Sequence, residues 1–176
     1  MELIKIITDS DIVGGEPELL DSVSRYSARG IVVDEQGNVA MMYMSKLKLY
    51  KLPGGGIEDG EQAQDAFLRE IMEETGYEAE VFHELGYIEE HKKRNDFMQY
   101  SYCYAAKANH SPRSAMLSEN EQQLGMTVTW MTLDKALEVM NDSVLHSNDY
   151  STGFMILRDT TILETYQSTM NSNEKA

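Results

Sequence analysis

The stretch "KLPGGGIEDGE", residues 51 to 61, limits the chain more than any other. Pro53 has no backbone N–H, and the three glycines after it have no Cβ, so regular structure should stop there and the backbone can approach a ligand closely. The sequence beyond is of the opposite kind. Glu61 to Thr75 is rich in Ala, Leu, Glu, Gln and Met, all good helix formers, and Gly76 stands where a helix C-cap belongs. Phe67 and Ile71 form an apolar i, i+4 pair, so the spacing predicts an amphipathic helix with its glutamates facing elsewhere.

At about 100° per residue, Glu70, Glu73 and Glu74 fall within roughly 100° of arc, and their carboxylates can converge on one point. Like charges at this spacing weaken an isolated helix by roughly 0.2–0.5 kcal/mol per pair. Arg69 can pair with Glu73 four residues on, which leaves Glu70 and Glu74 without a cation close in sequence. Oxygen-only clusters suit Mg²⁺ or Mn²⁺, hard cations that keep several waters and bridge to phosphates. Such an ion would turn the repulsion into binding energy. A solvated charged face is the bland alternative, and the glycine run beside the helix argues against it. Gly55 is the first candidate for a backbone carbonyl that joins the carboxylates. Glu61 suits either a metal role or a favourable place near the helix start, worth about 0.3–1 kcal/mol.

The run "GGIEDGEQAQDAFLREIMEETGY", Gly55 to Tyr77, resembles the Nudix box of the Nudix hydrolase family. Gly55, Glu61, Arg69, Glu70, Ile71, Glu73, Glu74 and Gly76 all match, and Tyr77 is aromatic where the family usually has an aliphatic residue. The resemblance implies an α+β fold, an α/β/α sandwich around a mixed β-sheet. It implies one domain over residues 1–170, with 171–176 as a flexible tail. It also implies hydrolysis of a pyrophosphate bond in a nucleoside diphosphate linked to a group X, with a nucleoside tri- or diphosphate as the first expectation. ADP-ribose, a nucleotide sugar, or a nucleotide-binding module without turnover are the alternatives. Carried over by position, Glu70, Glu73 and Glu74 hold one to three Mg²⁺ or Mn²⁺ ions with Gly55. Glu70 ligates or activates the attacking water, at a low pKa beside the metal, and Arg69 orients the glutamates. Family members often take a further glutamate from a later loop. "LSENEQQLGMTVTW" offers Glu119 and Glu121, and Glu121 is favoured.

Beyond the box, "SARGIVVDEQGNVAMMYM" reads as a hairpin turning at Asp34–Asn38. "EAEVFHELGYIEE" and "FMQYSYCYAAKA" read as strands joined by the basic tip "HKKRND". A polar loop, "NHSPRSAMLSENEQQLG", precedes a short strand, "MTVTWM". Thr132 looks like the N-cap of a helix, "LDKALEVM", and a last amphipathic helix is expected over Ser151 to Thr169.

Candidates for substrate contact are Arg29, Lys51, Gly54 and Gly55; Arg25 and Arg29 suit either a phosphate or a neighbouring carboxylate, and Lys51 suits either substrate or strand-edge solubility. Lys92, Lys93 and Arg94 suit phosphate steering or a solvated hairpin tip. Tyr100, Tyr102 and Tyr104 share one strand face, as a base-stacking surface or an aromatic core. The net charge of −15 repels polyanions, so neither nucleic acid nor an anionic membrane is an expected partner. A small anionic nucleotide would need local cations. No segment reaches the eighteen or so apolar residues of a membrane helix, and "MELIKIITDSD" has no secretory pattern. The single cysteine, Cys103, suits a strand core and a reducing cytoplasm. The sequence fixes no oligomeric state; a homodimer is compatible with the resemblance.

Overall fold

A computed structural model of the chain describes residues 1–109, 112–146 and 148–173. The expected hairpin joins β2 (Arg25–Val33) to β3 (Val39–Met44), with Val33 paired to Val39. Its turn closes on Asp34, whose Oδ1 accepts from the backbone N–H groups of Gln36 and Asn38 at 2.9 and 2.8 Å. Gly37 takes a positive φ of 81° there, a conformation that costs glycine little.

Eight strands form one mixed sheet in the order β1–β6–β7–β2–β3–β4, with β5 on β2 and β8 on β3. The two long expected strands are β6 (Ala79–Lys92) and β7 (Phe97–Ala108), antiparallel and joined by a 3-10 turn at Lys93–Asn95. β7 then runs parallel to β2, and β8 (Met126–Met131) pairs antiparallel with β3. Two elements at the start of the chain were not foreseen: β1 (Leu3–Thr8), parallel to β6, and the short helix α1 (Asp9–Val13).

The glycine run differs from its expectation. Regular structure does not stop there. β4 (Leu49–Lys51) and β5 (Gly54–Gly56) are short strands, and β5 lies antiparallel on Ser27–Arg29 of β2. Without side chains the segment can press against the sheet, where pairing outweighs glycine's conformational entropy.

Strand periodicity divides the core between two faces. Ala28, Val32, Ala40, Tyr104 and Ala106 pack against Ala66, Phe67 and Ile71 of α2 (Ala63–Thr75). Ile31, Val33, Met41, Cys103 and Ala105 face the other way, against α4 (Leu133–His146) and α5 (Tyr150–Asn173). The result is the expected α/β/α sandwich. α2 begins at Ala63 with Gln62 as N-cap, two residues later than the composition suggested. Thr132 caps α4 as expected, its Oγ1 accepting from Lys135 N at 3.2 Å. The polar loop holds one short helix, α3 (Glu119–Gln123), while its residues 110 and 111 lie outside those described. α5 is longer than expected and runs through position 173; the rest of the expected tail, 174–176, lies outside the described residues. Among the described residues, no helix is long and apolar enough to cross a membrane.

Candidate active site

The glycine strand and the glutamate helix meet edge to face. A Cβ on Gly55 would lie 2.3 Å from Glu70 Oε1, so the carboxylate occupies the space that any side chain there would need. Gly54 has φ +139°, and a Cβ on it would lie 2.3 Å from the Cβ of Arg29. Its N–H donates to Glu74 Oε2 at 2.9 Å, and Lys51 Nζ donates to Glu74 Oε1 at 2.6 Å. Glu74 is only 2% exposed. At the far end of the helix, Gly76 adopts the left-handed conformation and its N–H donates to Met72 O, ending α2 as expected.

Arg69 is the hub of the outer side. Its Nε and Nη2 grip both oxygens of Glu61 at 2.9 and 3.0 Å. Nη1 donates to Glu70 at 2.9 Å and Glu73 at 3.2 Å, and Nη2 also reaches the Gly56 carbonyl at 2.9 Å. This bidentate pairing holds the Glu61 carboxyl below its usual range and keeps the guanidinium charged. One expectation is thereby corrected. Glu70 and Glu74 both have cations: Arg69 is the immediate neighbour of Glu70, and Lys51 reaches Glu74 from β4. Spacing along one helix could not show a partner brought by the sheet. In the ion-free chain, burial raises the Glu70 and Glu74 carboxyls, with Arg69 and Lys51 opposing it.

Three carboxylates come together at the centre. Glu70, Glu74 and Glu121 each present an oxygen within 4.8 Å of the others. Glu121 is delivered by local structure: Ser118 caps α3, and Glu121 Oε2 accepts from Ser118 N and Oγ, both at 2.8 Å. Glu73 lines the same pocket from its rim, with a side chain 36% exposed and tied to Arg69. The pocket encloses about 550 Å³, and Arg29, Lys51, Gly54 and Gly55 line it with the glutamates. Arg25 and Lys92 line it as well, whereas Lys93 and Arg94 turn away to Glu18 and the Tyr150 ring.

The floor holds residues that sequence reasoning missed. Arg158 of α5 donates to Asp159 Oδ1 at 2.8 Å and to Glu90 Oε2 at 3.3 Å. Gln99 donates to Glu90 Oε2 at 2.8 Å. The doublet Arg158–Asp159 interrupts an otherwise apolar helix run, "FMILRDTTIL", which was the available signal. Beyond Gly56 and Arg25, a second cleft of about 1000 Å³ is lined by Tyr26, Tyr102, Tyr104 and Glu84 among others. Tyr104 is buried and stacked on Phe67 at 5.7 Å, a core role; Tyr100 stacks on Tyr87 at 4.5 Å.

An acid-rich helix docked on a glycine strand across a mixed sheet defines a class, and comparison with known proteins agrees. The NUDIX domain model matches residues 23–148, and the chain belongs to this family. It is 35% identical over 66 residues, 38% of this chain and 44% of the relative, to a Bacillus subtilis (strain 168) protein provisionally named an 8-oxo-dGTP diphosphatase. It is 48% identical over 54 residues, 29% of this chain and 34% of the relative, to the RNA pyrophosphohydrolase of Dinoroseobacter shibae. The chain thus spans less than half the length of these relatives. A NUDIX hydrolase from Nitrosomonas europaea superposes with a TM-score of 0.63 over 82% of this chain and 89% of that one, at 13% identity, a likeness of fold.

The donor set suits a hard divalent cation. Among the described residues, carboxylate oxygens of Glu70, Glu74 and Glu121 meet at the centre, two of the three glutamates are half-buried and the third is buried, and their spacing would let them hold one ion.

Proposed function

We propose that the chain is a metal-dependent pyrophosphohydrolase acting on a nucleoside diphosphate linked to a group X. The observation that carries this reading is the convergence of Glu70, Glu74 and Glu121 on one point, beside a pocket lined with Arg25, Arg29 and Lys51. Carboxylates alone would repel a diphosphate. Carboxylates holding a cation, flanked by fixed positive groups, would bind one. The named activities of the two relatives, each a cleavage of a phosphoric anhydride, agree with this choice.

Glu70, Glu74 and Glu121 would hold Mg²⁺ or Mn²⁺, with Glu73 at the rim and Gly55 offering its carbonyl. Such an ion, when bound, neutralises phosphate oxygens and lowers the pKa of a water. The remaining roles fall to the chain. Lys51 and the Gly54 N–H fix Glu74, so its carboxylate needs no reorganisation when substrate arrives. Arg69 anchors Glu70 and Glu73 and ties them through Glu61 and Gly56 to the glycine strand. Glu70, held by Arg69 beside Gly55, would take the proton of the attacking water. That water adds to one phosphorus while the bridging P–O bond breaks, giving a nucleoside monophosphate together with pyrophosphate from a triphosphate, phosphate from a diphosphate, or a second phosphate monoester from a nucleotide sugar. Lys51 would hold non-reacting phosphate oxygens.

The test is a nucleotide panel: nucleoside triphosphates, ADP-ribose, dinucleoside polyphosphates and nucleotide sugars. With Mg²⁺ at least one should be hydrolysed, and EDTA should stop it. Glu70→Gln should lower kcat at least a hundredfold with an unchanged circular dichroism spectrum. Tight binding with no turnover of any of these compounds would refute hydrolysis.

A further inference from the structure

Arg29, Lys92 and Arg158 line the pocket floor, with Glu90 and Asp159 packed among them. Asp159 is committed to Arg158 at 2.8 Å and to the Leu52 N–H at 2.8 Å. Glu90 is shared between Arg158 at 3.3 Å, Gln99 at 2.8 Å and Lys92 at 3.5 Å. Nothing is left for Arg29. It is 5% exposed, its Nε is buried without a hydrogen-bond partner, and it pairs with no carboxylate among the described residues. Burial and the charge of Arg158 push its pKa down, while Asp159, Glu90 and Glu74 act at a distance in the other direction.

A buried guanidinium left unpaired is expensive unless something anionic completes it. Glu74, the third acid acting on Arg29, is held by Lys51 at 2.6 Å. We infer that Arg29, backed by Lys92 and Arg158, forms a recessed anion subsite that selects substrates whose X group bears its own phosphate over substrates whose X is a neutral sugar. This rests on the pyrophosphohydrolase reading and narrows it. A triphosphate chain brings one more anionic group, which the unpaired Nε of Arg29 in the pocket lining would receive. A sugar brings hydroxyls, which leave the charge on Arg29 uncompensated.

The experiment compares substrates that share a base: GTP with GDP-mannose, UTP with UDP-glucose, ATP with ADP-ribose, all in Mg²⁺. The native protein should favour the triphosphate in kcat/KM for at least one pair. Arg29→Gln should reduce that preference at least tenfold, mainly through KM. Binding of inorganic tripolyphosphate, followed by calorimetry, should weaken at least tenfold in Arg29→Gln and recover in part in Arg29→Lys. Because Arg29 has no partner to lose, Arg29→Gln should melt no lower than the native protein. An unchanged preference in Arg29→Gln, a native preference for the sugar nucleotides, or a lowered melting temperature would overturn the subsite. If no substrate is turned over but tripolyphosphate binds through Arg29, the hydrolase reading fails and the subsite stands.

Discussion

Gly55 and Glu70 act as one unit, because the carboxylate of the second fills the volume a side chain on the first would need. Gly55→Ala would therefore push Glu70 aside without touching the sheet's core. A displacement of about 1 Å at a reacting group can cost roughly a hundredfold in rate, and that loss in kcat is expected in steady-state assays, with the unfolding midpoint little changed. Cys103 gives a contrasting test. Its thiol is fully buried in the sheet and pushed up to about 12 by desolvation, against an ordinary value of 9.0. A raised folded-state value means its contribution to stability is whole below about pH 9 and is lost as pH rises towards 12. Iodoacetamide should leave the native protein unlabelled at pH 8 and modify it once urea is added; native labelling would show the strand to be open. Residues of this kind were legible one by one. The glutamates, Arg69 and the glycines matched a spaced pattern, and Cys103 sat in a strand-forming run. Arg29 and Lys51 were readable only as candidates, since the pairing of β5 with β2 and the reach of Lys51 to Glu74 depend on strand order.

Among the elements, α5 does most to hold the site's floor, and its role was the least visible in advance. It was expected as an amphipathic helix packing on the domain. Instead it sends Arg158 and Asp159 inward through the apolar layer formed by Phe154, Ile156, Ile162 and Leu163. Asp159 Oδ2 accepts from the Leu52 N–H at 2.8 Å, so the helix positions the backbone just before the glycine strand. Removing Arg158 would take the guanidinium from two buried carboxylates, leaving Asp159 the Leu52 N–H and Glu90 its contacts to Gln99 and Lys92, and breaking a buried pair in this way costs about 3–5 kcal/mol. Urea unfolding of Arg158→Met should show a loss of that size, whereas Lys135→Met on an exposed i, i+3 pair of α4 should change stability by less than about 1 kcal/mol. Helix α2, by contrast, was predictable nearly end to end because its signals are local: apolar spacing, helix formers and a C-terminal glycine. β1 pairs with a strand eighty residues away, and α3 depends on the Ser118–Glu121 capping box within a polar loop, so neither announces itself by composition.

At the scale of the whole molecule, the charge of −15 and the binding of an anionic substrate make opposing demands, and the divalent ion proposed at Glu70, Glu74 and Glu121 would reconcile them. Any cation screens a strongly acidic protein, so a rise in melting temperature with Mg²⁺ alone would not show a site. The two causes separate by concentration and by residue. Screening follows ionic strength, with a Debye length of about 10 Å at 0.1 M, and NaCl matched in ionic strength supplies it equally. Binding to the folded state saturates and adds RT ln(1 + [L]/Kd), about 2.7 kcal/mol when Mg²⁺ stands at a hundred times its dissociation constant. For a domain near this length, that corresponds to roughly 5–11 °C. The expected result is such a shift with MgCl₂ above that given by matched NaCl, reversed by EDTA. The shift should disappear in the double variant Glu70→Gln, Glu121→Gln, which removes two of the three converging carboxylates while leaving Glu74 on Lys51. A double variant that kept the full excess would mean that the ion sits elsewhere on the acidic surface. The glutamate helix would then be held in place by Arg69 and Lys51 alone, as structure and not as a metal site.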